Sequence, residues 1–368
     1  MKILCITGGF LPSIGGMQFS THQTLLGLIE NGVDVTLVCP HENGDKEFDK
    51  TLPYKIIRNG EGGYITDIKN LFLVNKIYKI DNYDEVMLMG HFAEVAYGVF
   101  RSFFSFVPII LAAGTRLPFE NSKYKMAIRN TILCRAYNGA KKIIAISDAT
   151  INFIHEYCST PLEKFKKIPR PIDDDVWKFK EKIEHDVFTL VTFSRFEKQK
   201  NIQDVLEILS KIKQRGIKFS YKLIGDGEYI KELKNITKKL HLEREVEFLG
   251  YKSQSELIDI LHSCDLHILL SKAHNGLGET FGRVYAEAGF IKVPSIGFKT
   301  SGTVEAVKDG YSGFLYGFSE LDKIEEKIVK IIEKKGYLEE LSENAFNFSN
   351  DNFRKCIIGK AIKDFLNE

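Results

Sequence analysis

No stretch of 18 uncharged apolar residues occurs in this 368-residue chain, so a membrane-spanning helix is not expected. The nearest approach, residues 99–113, holds four phenylalanines but is interrupted by Arg101 and Pro108. The opening Met-Lys-Ile-Leu-Cys-Ile-Thr lacks the charged start and small-residue cleavage site of a secretory signal, which makes a cytoplasmic protein the expectation. Neither sign of charge dominates: 51 Lys and Arg stand against 49 Asp and Glu, a formal net charge of +2. That balance excludes an electrostatic nucleic-acid binder, which needs a strongly basic surface. Cysteine is sparse and scattered (5, 39, 134, 158, 264 and 356) with no C-x-x-C, so neither a zinc cage nor a disulfide framework is indicated and buried free thiols are expected. No internal repeat, low-complexity tract or coiled-coil heptad is visible.

What the chain does have is 44% hydrophobic residues, enough to build sizeable cores and to exclude disorder. At about 100–200 residues per domain, its length implies two domains or one large α/β unit. Short apolar runs at 2–7, 34–39, 85–89, 109–112 and 142–146 read as buried strands, with amphipathic helical stretches such as 17–31 between them. A second series follows at 188–194, 221–224, 246–248, 266–270 and 293–296. This alternation implies βαβ crossovers and parallel sheets covered on both faces. The series are separated by residues 166–182, where Pro169 and Pro171 bar regular helix and mark a linker. The expectation is two Rossmann-like domains, 1–170 and 171–349, facing each other across a cleft, with a last helix at 350–368 packing back on the first.

In open α/β sheets ligands bind beyond the carboxyl ends of the strands. After the first strand comes Gly8-Gly9-Phe10-Leu11-Pro12-Ser13-Ile14-Gly15-Gly16 and then a helix. These glycines let the backbone approach a ligand, and the helix offers N–H groups to an anion, although a purely structural tight turn would read the same way. The spacing is neither G-x-G-x-x-G nor a Walker loop, which argues against a dehydrogenase or an NTPase. In the second series the first strand runs into Arg195, with Lys200 just before a helix at 202–214. Two cations on such a loop suit a diphosphate, Arg as a fork and Lys as a point charge; taken singly they would pass for solvated surface groups. The run 271–289 carries Gly276 and Gly278, with a helix expected to begin near Thr280. Glu279 would stand at its entrance, Glu287 seven residues on, and the amides of Phe281, Gly282 and Arg283 would face phosphate. As an idle charge Glu287 would be oddly placed, among Tyr285, Ala286, Ala288, Gly289 and Phe290.

Together these residues resemble the retaining glycosyltransferases of family 4, which have the GT-B fold. Glu-Thr-Phe-Gly-Arg-Val-Tyr-Ala-Glu, from Glu279 to Glu287, matches the family's Glu-x7-Glu signature. Arg195 and Lys200 match its diphosphate-gripping pair, and Gly15-Gly16 is similar to its N-terminal Gly-Gly turn. Phe248-Leu249-Gly250-Tyr251 resembles the loop that packs the nucleotide base, and 297–305, with Gly302, Thr303 and Glu305, the segment beside the donor sugar. The resemblance implies that Glu279 holds donor-sugar hydroxyls and Glu287 the ribose. It further implies that Arg195, Lys200 and the amides at 281–283 neutralise the departing diphosphate, with neither metal nor cofactor required. Asp173-Asp174-Asp175 is then linker, read as capping or solvated residues rather than a metal site.

Two positions depart from the family pattern. Ala113 stands where the family commonly has a histidine near the reacting sugar, and Arg170-Pro171-Ile172-Asp173 replaces Asn-Gly-Ile/Val-Asp. His91, after the strand at 85–89, matches another family position and is the candidate polar group of the first domain, though a lone His is as readily structural.

The implied activity is transfer of a monosaccharide from a nucleotide diphosphate sugar, uridine rather than guanosine on family breadth, to a saccharide or lipid-linked glycan acceptor. Bacterial surface polysaccharide or lipopolysaccharide assembly is the pathway expected. Basic and large apolar groups mix at Lys69–Lys79, around Phe100-Arg101-Ser102-Phe103-Phe104 and at Lys123-Tyr124-Lys125-Met126, which suits peripheral contact with the inner membrane surface as well as ordinary core-facing helices with snorkelling lysines. The alternatives are a GT-B-fold nucleotide-sugar 2-epimerase and a non-catalytic nucleotide-sugar-binding subunit supporting a partner transferase.

Overall fold

The computed structural model describes residues 1–13, 15–112, 123–272, 281–300 and 302–368. The chain divides into two compact units, Met1–Pro171 with Phe353–Glu368, and Ile172–Asn352.

The first unit is built on a parallel sheet of β1 (Lys2–Ile6), β2 (Asp34–His41), β3 (Lys55–Glu61), β4 (Glu85–Leu88), β5 (Ile109–Ala112), β6 (Lys142–Ala145) and β7 (Phe165–Lys167), in the order β3-β2-β1-β4-β5-β6-β7. Successive residues of a strand point to opposite faces, and here both faces are cores. Ile3 and Cys5 pack with Leu37, Met87, Ile109 and Ile144 on one side. Leu4 and Ile6 pack with Val86, Leu88, Ile110 and Ile143 on the other. Burial on both faces is why these strands read as unbroken apolar runs rather than as alternating ones.

The final helix, Lys355–Asn367, lies on helix Gly16–Glu30 with their backbones in contact. A Cβ on Gly27 would stand 2.0 Å from the Lys355 carbonyl oxygen, and one on Gly359 2.0 Å from that of Gly27, so both positions require glycine. Asn31 Nδ2 donates to the Cys356 carbonyl (2.8 Å) and Lys363 Nζ to that of Asn31 (2.6 Å).

The second unit carries β8 (Thr189–Phe193), β9 (Ser220–Ile224), β10 (Val246–Gly250), β11 (Leu266–Leu269), β12 (Ser295–Phe298) and β13 (Gly313–Tyr316), in the order β10-β9-β8-β11-β12-β13 and again parallel. Leu190, Leu223, Ile268 and Ile296 meet Val205 and Leu209 of helix Ile202–Gln214 and Ile324 and Ile328 of helix Leu321–Glu333. Strand order reverses once in each sheet, between β1 and β4 and between β8 and β11, and each reversal opens a crevice at the carboxyl ends of the strands.

Three strands fall outside the sequence expectation, β3, β7 and β13, and all three are sheet edges. The cysteine reading is also corrected. Cys134 and Cys158 form a disulfide between helices Lys123–Gly139 and Asp148–Cys158, while Cys5, Cys39, Cys264 and Cys356 are free. Helix packing brings the pair together, so a spacing of 24 residues held no signal. Among the described residues no helix is long and apolar enough to cross a membrane.

Candidate functional site

At the β8/β11 reversal the loop after β8 is held by backbone on both sides. The Ser194 amide donates to the Ile224 carbonyl (3.1 Å), the Phe196 amide to that of Asp226 (2.8 Å), and the Tyr229 amide to that of Phe196 (3.0 Å). This seam depends on two glycines in positive-φ conformations: a Cβ on Gly225 (φ +134°) would lie 1.9 Å from the Ser194 carbonyl oxygen, and one on Gly227 (φ +159°) 2.4 Å from that of Phe196. The sequence reading did not single out Gly225-Asp226-Gly227, although a Gly-x-Gly directly after a strand was there to be read.

Arg195 projects from this seam with its side chain 85% exposed and its guanidinium 3.9 Å from Glu197. Lys200 closes the short turn Lys198–Lys200. Next comes Asn201, buried and left-handed (φ 55°), whose Nδ2 donates to Asp204 Oδ2 at 2.7 Å. Lys272, beyond β11, donates to the same oxygen (2.5 Å), and its amide donates to the Gln199 carbonyl (2.9 Å). The loops after β8 and β11 are thus tied by one buried-edge carboxylate and one backbone bond.

Helix Arg283–Phe290 begins later than expected. Gly282 takes a left-handed conformation (φ 69°, ψ 48°) and stands at its N-cap with no side-chain cap. A left-handed residue cannot continue an α-helix, so Phe281 and Gly282 precede the helix rather than form its first turn, and only the Arg283 amide belongs to it. Glu287 therefore lies four residues into the helix. It is buried at 8% exposure and accepts from Arg283 Nε at 2.6 Å. Burial pushes its carboxyl up, and the Arg283 guanidinium pulls it back down. Glu279, Thr280 and the glycines 276 and 278 lie outside the described residues.

Small residues seat this helix: a Cβ on Gly289 would meet Ser349 Oγ at 2.1 Å on helix Lys335–Phe353. Tyr285, also unforeseen, donates its hydroxyl to the Leu269 carbonyl (2.5 Å) and lies over Gly297. Buried Thr303 donates to the Phe298 carbonyl (2.6 Å) and accepts from the Thr300 amide (2.9 Å), tying the end of β12 to helix Thr303–Ala306. Gly250 ends β10 at φ +69° and its carbonyl accepts from the Gly225 amide (2.9 Å), which links the segment to the Arg195 seam; Tyr251 beside it is 76% exposed.

In the first unit Gly15 is the extended N-cap of helix Gly16–Glu30, uncapped by any side chain, with Gln18 lying across it. Among the described residues nothing stands within 4 Å of a Cβ on Gly16. Gly90 caps helix His91–Phe100 beside Gly8. Arg129 Nη2 and His91 Nε2 are 2.7 Å apart. A guanidinium only donates, so the neutral imidazole carries its proton on Nδ1, which lies 3.8 Å from the buried Glu94 carboxylate. Glu94 also accepts from Tyr137 (3.1 Å). His91 is thereby oriented from both sides. Ala113 and the side chains of 123–126 lie outside the described residues.

Asp173 to Asp175 form a turn. Asp173 accepts from the Asp175 amide (3.2 Å) and Asp175 lies 3.4 Å from Lys178. Among the described residues no group of three or more His, Cys, Asp or Glu is placed to hold a metal ion.

Two family descriptions match the chain, Glycosyltransferase Family 4 over residues 14–176 and Glycosyl transferases group 1 over residues 173–348. An uncharacterised glycosyltransferase of Methanocaldococcus jannaschii is 30% identical over 165 residues, covering 45% of this chain and 44% of its own. For two of the curated relatives, that one included, the match spans only about half of their length. A 41.2 kDa protein in the cps region of Klebsiella pneumoniae is 25% identical over 354 residues, 88% of this chain and 89% of its own. Among solved structures, HepE of Anabaena in complex with UDP superposes with a TM-score of 0.78 at 20% identity over 100% of both chains, a likeness of fold.

Proposed function

Since the chain belongs to the family 4 glycosyltransferases, with their GT-B fold of two Rossmann-like domains, we propose that it transfers a monosaccharide from a nucleotide diphosphate sugar to a saccharide or lipid-linked glycan, with retention at the anomeric carbon and without a metal ion. The observation that carries this reading is the seam at the β8/β11 reversal. It presents Arg195 to solvent from a loop whose backbone is bound on both sides, next to a turn that ends in Lys200.

In the reaction the anomeric carbon exchanges its bond to the diphosphate oxygen for one to an acceptor hydroxyl, so negative charge grows on the leaving diphosphate. Fixed cations at that oxygen stabilise the transition state more than the ground state, the electrostatic effect that usually dominates catalysis. Arg195 and Lys200 supply the charge, and the uncapped start of helix Arg283–Phe290 adds its partial positive end. Glu287 is assigned to the ribose hydroxyls and Glu279 to those of the donor sugar, with Gly250 and Tyr251 beside the base and Gly15-Gly16 against the phosphates. Uridine is the base proposed, since the HepE structure of like fold holds UDP. Assembly of a surface polysaccharide is the pathway proposed, in keeping with likeness over most of the chain to the protein of the Klebsiella cps region.

Peripheral membrane contact is assigned to helix Tyr64–Ile80. Its exposed residues Ile65, Lys69, Phe72, Lys76 and Lys79 recur at spacings of three and four, which places them on one stripe. Phe72 packs its ring against Phe100 (6.0 Å) and Phe104 (5.2 Å), so the second basic and aromatic segment adjoins the stripe. Sedimentation with anionic liposomes at low salt is expected, and a protein that stays in the supernatant rejects this part.

A thermal-shift series with UDP, GDP, ADP and CMP tests the donor site. Selective stabilisation by UDP, lost in Arg195→Ala, is expected; no shift with any nucleotide overturns the reading. Turnover that survives EDTA and a product with the donor's anomeric configuration by NMR are expected for the remaining two properties.

A further inference from the structure

At the other reversal, between β1 and β4, the structure buries a carboxylate that no described residue meets with a hydrogen bond. Asp67, in the first turn of helix Tyr64–Ile80, is 0% exposed, and neither carboxylate oxygen has a hydrogen-bond partner among the described residues. Its oxygens lie 3.0 and 3.1 Å from where a Cβ on Gly8 would be, so a side chain at position 8 would press on the carboxylate. Gly8 adjoins Gly90, and a Cβ there would stand 3.4 Å from the Gly8 amide nitrogen. The carboxylate therefore packs behind the half-buried Gly8, on the loop that follows β1 and beside the start of helix His91–Phe100.

Asn70 lies one turn further along the same helix, also 0% exposed. Its Oδ1 accepts from Asn59 (2.6 Å) while its Nδ2 has no partner among the described residues. An acceptor-only group and an N–H donor, both buried and both unmet, thus stand three residues apart on one helix face. Tyr64 stands 40% exposed at the start of this helix; burial pushes its phenol up, Arg129 pulls it down and the Asp67 charge adds to the rise. Burial pushes the Asp67 carboxyl up to about 6, the behaviour of a carboxylate without a donor. Natural proteins rarely leave buried polar groups unsatisfied, and such exceptions call for a ligand or a role. A group that both donates and accepts, as a sugar hydroxyl does, satisfies Asp67 and Asn70 together.

We propose that Asp67, with Asn70, receives a hydroxyl of the acceptor saccharide at the β1/β4 reversal and so selects which acceptor is used. This rests on the transferase reading, and its test separates the two. Saturation-transfer NMR on the full chain uses the methyl α-glycosides of glucose, galactose, mannose and N-acetylglucosamine as probes, with the UDP thermal shift read in parallel. At least one glycoside is expected to bind at millimolar concentration. Its affinity should fall about tenfold or more in Asp67→Asn, the loss of one charge-assisted hydrogen bond, while the UDP shift is kept. Asp67→Glu, which keeps the charge but displaces it, should lose the same affinity.

Since the carboxylate has no hydrogen-bond partner among the described residues, Asp67→Asn should melt no lower than the parent at neutral pH, whereas loss of a structural Asp67 would lower the melting temperature. The proposal is overturned by equal glycoside binding in parent and variants, by no glycoside binding in a chain that does bind UDP, or by a lowered melting temperature in Asp67→Asn. A parent chain with no UDP shift strikes at the donor site instead, and the glycoside arm is then judged alone.

Discussion

The two units share an architecture and finish their crevices in opposite ways. At β8/β11 the ionic groups are met within the protein: Glu287 holds Arg283, Asp204 holds Lys272 and Asn201, and the Arg195 loop is bound by carbonyls and amides through Gly225 and Gly227. At β1/β4 the chain buries Asp67 and the Asn70 amide without partners among the described residues, beneath glycines that keep side chains out. The first arrangement is a preformed frame with a cation projecting from it. The second leaves a carboxylate and an amide buried without partners among the described residues. On the proposed function, a rigid frame suits a nucleotide diphosphate, and the ligand proposed for the first unit brings the donor that Asp67 lacks.

The largest expected effect comes from removing the projecting cation. Arg195→Ala should lower turnover by roughly 100- to 1,000-fold, as loss of a preorganised charge does, with an unchanged melting temperature because the side chain is 85% exposed. A parallel fall in melting temperature would show that Arg195 belongs to the frame rather than to the chemistry.

Next is the crossing that seats the last helix on the first unit. Gly27→Ala drives a methyl to within 2.0 Å of the Lys355 carbonyl oxygen and should cost about 3 kcal/mol in denaturant melts.

Asp67→Asn should act in the opposite direction. The folded carboxyl titrates near 6 against a reference of 3.8, so the native state binds the proton more tightly than the unfolded one. Its contribution is favourable below about pH 4, is lost as pH rises through 6, and amounts to a penalty of roughly 2–3 kcal/mol at pH 7. The variant should therefore gain that much at pH 7 and almost nothing at pH 4. Equal gains at both pH values would contradict the uncompensated charge.

Smallest is Lys272→Met, which among the described residues leaves the Asp204 carboxylate with Asn201. About 1 kcal/mol of stability should go, along with a few-fold rise in KM for the donor and little change in kcat.

The parallel sheets were legible because central strands are buried on both faces and stand out as apolar runs. The edges were not. β3 reads Lys-Ile-Ile-Arg-Asn-Gly-Glu and β7 only Phe-Lys-Lys, since a half-solvated strand keeps its polar residues, and β13, Gly-Phe-Leu-Tyr, opens on a glycine and offers no β-branched residue. Arg195 and Lys200 could be picked out because they follow an apolar strand and precede a helix. Glu287 stood out because a carboxylate among small apolar residues is unusual. The helix start was placed three residues early because nothing local announces that Gly282 is left-handed. Asp67 gave no sign at all: what makes it unusual is Gly8, 59 positions away in sequence and touching only in the fold.

The most direct test of the proposed donor site is hydrogen exchange of the full chain with and without UDP. Protection is predicted at 194–201, 225–227 and 283–287, the segments that frame the β8/β11 crevice. Unchanged exchange at all three, or protection limited to the first unit, would contradict a nucleotide site there.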